Sequence, residues 1–236
     1  METSNPVGIP PLDTDPTGEK LEPVPAPADD PRTVLLGATN QTMSDARVPQ
    51  ALIFDCDGTL AHTMPVHWEA WKEVTARHGL EFTEERFYAL GGVPTRDIVR
   101  MLAQEQNRPE IDPLHFAHEK EEAYFRRFEH IGPVEEVVSI AREHRGRIPM
   151  AVASGGSRHA ITRVLRHLSI LDWFGAVVTN EDVLNQKPAP DIFLEAARRL
   201  AVPPHLCRGY EDTDLGMQSI RAAGMEAVDI RHFTRG

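Results

Sequence analysis

Short apolar runs alternating with amphipathic stretches constrain this chain more than any other feature. Ala51–Phe54 is a continuous apolar run of strand length, the pattern of a strand buried on both faces. Residues 148–153, 176–179, the weaker 206–210 and 226–230 continue the series. Helical periodicity fills the intervals at 134–144, 158–167, 191–200 and 215–223, with Gly224 as a stop for the last. Repeated strand–helix–strand units predict an α/β fold: an open parallel, Rossmann-like sheet with helices on both faces.

One segment breaks the alternation. From Met64 to Gly132 there is no convincing strand, but helical patterns recur at 66–77, 96–106 and 113–129. Residues 64–132 therefore read as a small all-helical cap domain inserted after the first strand, with 49–63 and 133–236 as the catalytic core. Its aromatic residues at helical spacing, Trp68, Trp71, Tyr124, Phe125 and Phe128, read as packing. Residues 1–48 read as a disordered leader, because Pro6, Pro10, Pro11, Pro16, Pro23, Pro25, Pro27 and Pro31 fall there among acidic residues. Such a stretch cannot bury enough apolar surface to offset its ordering entropy. A solvated tail is the plainer reading and a Pro-rich docking segment the sharper one; Met43, just before the core, is an alternative start.

Charge and composition narrow the function. Apolar residues make up 41% of the 236, enough for a real core, and the net charge is −11. That balance repels phosphate backbones and argues against a nucleic-acid partner. The two cysteines are too few for a disulfide framework and suit a reducing compartment. No run approaches the ~20 apolar residues that span a bilayer. The N-terminus lacks the basic-then-apolar order of a secretory signal. A cytoplasmic monomer without membrane association is expected.

The chemistry gathers where strands end. Asp55 and Asp57 follow the first strand, and residues two apart on extended backbone point to the same side. Gly58 then permits a sharp turn. One carboxylate of such a pair can attack phosphorus while the other handles protons. A phosphate beside both requires a cation, and Mg²⁺ favours carboxylates plus substrate oxygens. A calcium loop is the rival reading, but it fails, with Leu60 at its sixth position and Val66 at its twelfth. The plain alternative is a solvated acid pair.

Ser154 and Gly155 close the second strand before a helix, offering a hydroxyl and free N–H groups to an anion; Ser157 there could be only a cap. Lys187 precedes Pro188 and Pro190, which hold it outside the next helix, where it can offset phosphoryl charge. Glu211 and Asp212 follow the fourth strand as candidate metal ligands, or as caps of the following helix. Each element alone has a bland explanation. Their order at successive strand ends, where open parallel sheets bind ligands, argues for one site. His115 and His118 lie one turn apart, but with neither a nearby Cys nor H-E-x-x-H they read as surface residues. A cysteine phosphatase is excluded, because Cys56 and Cys207 have His62 and Thr213 where Arg would be needed.

Asp55-Cys56-Asp57-Gly58-Thr59-Leu60, Ser154, Lys187 and Glu211-Asp212 together resemble the four motifs of the haloacid dehalogenase superfamily. The Lys187–Leu194 and Glu211–Met225 stretches resemble its β-phosphoglucomutase and sugar-phosphatase branch, and the Arg147–Ser154 stretch resembles fructose-1-phosphate phosphatases. The resemblance implies Asp55 as nucleophile and Asp57 as acid/base. It implies Mg²⁺ held by Asp55, Asp212, the Asp57 carbonyl and Glu211, with Ser154 and Lys187 on phosphoryl oxygens. It places His67 near the catalytic acid and Lys120 near the substrate. Two departures stand out: His62 replaces an expected Asp near Asp57, and Arg96 falls one residue past the position of the mutase's second-phosphate anchor, which Thr95 occupies. A one-residue helical shift turns a side chain by about 100°. The implied function is a phosphatase of small phosphosugars or polyol phosphates, with β-phosphoglucomutase as the alternative. A catalytically silent binding module is disfavoured, since every motif position is occupied.

Overall fold

The computed structural model describes residues 48–232. The leader and Met43 lie outside the described residues. Five strands form one parallel sheet: β1 (Ala51–Phe54), β2 (Met150–Ala153), β3 (Ala176–Val178), β4 (Cys207–Glu211) and β5 (Glu226–Asp229), in the order β3-β2-β1-β4-β5. The most apolar strand takes the centre. β1 pairs with β2 through Leu52–Met150 and Phe54–Val152, and with β4 through Ala51–Cys207 and Phe54–Tyr210. β5 is the outer strand beside β4 and the least buried of the five, which fits its polar ends.

The side-chain alternation of β1 divides the core in two. Leu52 and Phe54 pack with α5 (Glu135–His144) and α6 (Arg158–His167). Ala51 and Ile53 pack with α7 (Asp191–Leu200) and α8 (Asp214–Ala222). Helices therefore cover both faces, as the strand pattern predicts.

Between β1 and β2 the chain forms α1 (Met64–His78), α2 (Glu84–Ala89), α3 (Thr95–Glu105) and α4 (Pro113–Phe125), with no named strand among them. α2 is too short to register as periodicity and rests on a Thr83 cap, whose side chain accepts from Arg86 N. The single helix expected at 113–129 is broken: α4 stops at Phe125, and a 3₁₀ turn follows at Phe128–His130. Trp71, Phe116 and Tyr124 are buried in the insertion, so the aromatic stripe is packing, as expected. The connections into and out of the insertion run together. His62 N donates to Gly132 O, and Val134 N donates to Leu60 O.

β4 explains its own polarity. A Cβ on Gly209 would lie 2.8 Å from Ile220 of α8, so the helix packs directly on the strand backbone. Arg208 pairs with Glu226 of β5 at 3.0 Å. Gly209→Val should therefore cost about 1–3 kcal/mol by overpacking, read as a lower urea midpoint. Ile220→Ala in the same chain should recover part of that loss, because the two positions share one contact.

Candidate active site

β2, β1 and β4 are adjacent, so their carboxyl ends bring Ser154, Asp55 and Glu211 to one edge. Lys187 reaches the same point from the β3–α7 connection. Its Nζ donates to Asp55 Oδ1 at 2.7 Å and to Glu211 Oε1 at 2.8 Å. All three side chains are buried. The lysine expected to sit on a loop is thus the cation at the centre of the site. Burial works against its charge, but Asp55 and Glu211 outweigh that and hold its pKa above the usual lysine value.

The loop after β1 is shaped by backbone bonds. Thr59, Leu60 and Ala61 N–H groups all donate to Cys56 O, and Gly58 N donates to Ala61 O. Gly58 has φ +85°, and a Cβ there would sit 2.3 Å from Asp212 Oδ2. Glycine is needed at this position both for the turn and for the approach of Asp212. Thr59 Oγ1 donates to Asp212 Oδ1 at 3.0 Å, which ties the β1 loop to the end of β4.

Glu211 is fixed from the other side. Its Oε2 accepts from Thr213 N at 2.6 Å, and a Cβ on Gly216 would meet its Oε1 at 1.8 Å. The cap of α8 is Thr213, which accepts from Gly216 N, while Asp214 begins the helix. Asp212 belongs to the site rather than to the cap.

Carboxylate oxygens of Asp55, Glu211 and Asp212 lie within 4.8 Å of one another. Burial, with Glu211 and Asp212 adding to it against Lys187, pushes Asp55 well above the usual carboxylate range. Burial and Glu211 raise Asp212 to about 7 despite the Thr59 hydrogen bond. Two buried acids and the half-buried Asp212 stand beside a single ammonium, so this oxygen-only donor set is short of positive charge. It fits a hard divalent cation such as Mg²⁺.

The Asp57 carboxylate faces elsewhere. His67 Nε2 of α1 lies 3.5 Å from Asp57 Oδ1, and Lys120 Nζ of α4 lies 2.8 Å from His67 Nδ1. A protonated Lys120 donates to Nδ1, which leaves the Nε2–H directed at Asp57. Tyr124 stacks on His67 with centroids 4.2 Å apart, and its hydroxyl is buried without a partner among the described residues. Burial would raise Asp57, but the His67 contact and the Lys120 charge prevail and hold it below its ordinary value. Burial and Lys120 lower His67. Burial also lowers Lys120 to about 8, against the pull of Asp57 and Glu121.

Ser154 is buried, and its Oγ accepts from Gly156 N at 3.1 Å; Gly155 is exposed beside it. Ser157 is indeed a cap, accepting from Ala160 N, but it also donates to Glu121 Oε1 of α4 at 2.8 Å. Arg96 is exposed on the first turn of α3 and joins none of these interactions. His62 is exposed, with its backbone N–H bonded to Gly132 O. The ionisable side chains that act most on the Asp57 carboxylate are those of His67 and Lys120. Thr59, Tyr124 and Glu121 were not foreseen as site residues. Thr59 stood inside the first motif, whereas nothing local marks Glu121.

A fructose-1-phosphate phosphatase of Escherichia coli, YqaB, is 42% identical over 76% of this chain and 95% of its own length. A β-phosphoglucomutase of Bacillus subtilis is 30% identical over 77% of this chain and 83% of that protein. Among solved structures, a β-phosphoglucomutase from Clostridium difficile superposes with TM-score 0.70 at 26% identity, covering 77% of this chain and 84% of that one. The model for haloacid dehalogenase-like hydrolases matches residues 49–224, and the chain belongs to that family.

Proposed function

We propose that the protein is a Mg²⁺-dependent phosphatase of small sugar or polyol phosphates, such as fructose 1-phosphate, working through an aspartyl-phosphate on Asp55. The observation that carries this reading is the separation of two carboxylates only two residues apart. Asp55 lies against Lys187, and Asp57 lies against His67 and Lys120. The same pair of side chains thus has one charge-neutralised member and one member linked to proton-carrying groups.

Asp55, Asp212 and the Asp57 carbonyl would hold Mg²⁺, with Glu211 adding charge while it fixes Lys187. When bound, the ion neutralises phosphoryl oxygens and lowers the repulsion between nucleophile and substrate. Lys187 and Ser154 hold phosphoryl oxygens, which orients the ester for in-line attack. An Asp55 oxygen bonds to phosphorus as the ester P–O bond breaks. Asp57 gives the departing oxygen its proton. It then takes a proton from water as that water attacks phosphorus and releases Asp55. In the free protein Asp57 favours the ionised form. An arriving phosphoryl group adds negative charge beside it and raises its affinity for a proton. The Lys120–His67 chain would supply that first proton, and the proton later taken from water leaves Asp57 protonated for the next turnover.

The substrate class rests on the relatives and on the enclosed position of the acids. The mutase reading shares the fold and rests on the 30% relative. The exposed Arg96 gives no support to a second-phosphate anchor in the insertion. Release of inorganic phosphate supports hydrolysis, whereas glucose 6-phosphate formed from β-glucose 1-phosphate would favour the mutase.

Asp55→Asn should abolish phosphate release from fructose 1-phosphate. Asp57→Asn should still label Asp55 but discharge it slowly, seen as a phosphoprotein stable through rapid quench. Turnover by Asp55→Asn at the wild-type rate would overturn the nucleophile assignment. Chelation by EDTA should stop turnover, and restored Mg²⁺ should both recover it and raise the melting temperature. Lys120 supplies positive charge below about pH 8 and loses it above. The alkaline limb of the kcat/KM profile should therefore fall through that pH, and Lys120→Met should flatten it.

A further inference from the structure

Glu121 has no part in the chemistry above, yet it lies on the rim of the same site. It follows Lys120 on α4, so it projects about 100° around the helix from the residue that meets His67. Its Oε1 accepts from Ser157 Oγ at 2.8 Å. Ser157 ends the loop that begins with Ser154, and that loop also borders Asp57. A Cβ on Gly156 would lie 3.4 Å from Asp57 Oδ2. The Glu121 charge is felt at both Lys120 and His67. Asp57, His67, Lys120, Glu121 and the 154–157 loop thus form one border, where the helical insertion meets the phosphoryl end of the sheet.

We infer that Glu121 is a specificity-determining residue: its carboxylate, held over the site by Ser157, rejects substrates that carry a second anionic group and accepts the hydroxyl-bearing end of a neutral phosphosugar. This rests on the phosphatase reading and deepens it. The cations nearby are already engaged. Lys187 is bound between Asp55 and Glu211. Arg158, directly after Ser157, is drawn to Asp182 and Glu181. A second phosphate at this border would meet the Glu121 charge, with Arg158 turned away from it. A sugar hydroxyl would find in Glu121 an acceptor with lone pairs beyond the Ser157 bond.

The test compares kcat/KM for fructose 1-phosphate and fructose 1,6-bisphosphate, substrates that differ by one anionic group. One charge pair at a partly solvated border is worth roughly tenfold, and salt weakens it. Glu121→Gln should lower the monophosphate-to-bisphosphate ratio by about tenfold, mostly through KM for the bisphosphate, and Glu121→Asp should restore most of it. The wild-type ratio should shrink as ionic strength rises, while that of Glu121→Gln should respond little. Ser157→Ala keeps the carboxylate but releases it, and should lower the ratio in the same direction by less than Glu121→Gln does. An unchanged ratio in an active Glu121→Gln enzyme overturns this inference alone, as does an active Ser157→Ala enzyme that keeps the full wild-type ratio. A wild-type enzyme that releases phosphate from no small sugar or polyol monophosphate overturns the phosphatase reading and this inference with it.

Discussion

One buried ammonium holds the site together. Without Lys187, the ends of β1 and β4 would bring Asp55, Glu211 and Asp212 together with two of the three shut off from water. With it, two of the acids gain a partner and the third remains in excess. That residual imbalance is what makes the cluster a fit for a divalent cation. The glycines serve the same constraint. Gly58 and Gly216 leave room for Asp212 and Glu211 where any side chain would displace them.

The geometry gives the two aspartates of the first motif opposite surroundings. Asp55 is held by residues of the α/β core, and Asp57 by residues of the helical insertion. The two aspartates are thereby served by two parts of the chain that are distant in sequence. Lys187 lies 132 residues from Asp55, and Lys120 lies 53 residues from His67. The buried ammonium at Asp55 comes from one part, and the His67–Lys120 pair at Asp57 from the other.

Much of this was legible in the sequence, for identifiable reasons. β1 could be read because a strand buried on both faces is apolar at every position. Lys187 stood out because prolines kept it from being a helix-surface charge. The limits are equally physical. α2 is too short to show a period, and the end of α4 is set by a local tightening that no pattern announces. His67 and Lys120 could be placed only by resemblance, since a histidine and a lysine on separate helices carry no sign that they will meet. The Glu121–Ser157 bond had no sequence signal, because it exists only where two elements dock. His62 is the converse case: it neighbours the motif in sequence, yet its side chain is exposed.

The two connections between core and insertion fix how the insertion is carried over the end of the sheet. Asp55 is 5% exposed and Lys187 8%, whereas Asp57 and Asp212 beside them keep part of their surface and Gly155 is exposed. Residues 60–62 and 132–134 are laced to each other by backbone hydrogen bonds, with Ala61 bridged to Pro133. Two separate tethers would let the insertion twist and slide; a laced pair behaves as a single strap. The insertion is thereby attached to the core at one place, and that single backbone junction sets the register in which His67 and Lys120 meet Asp57.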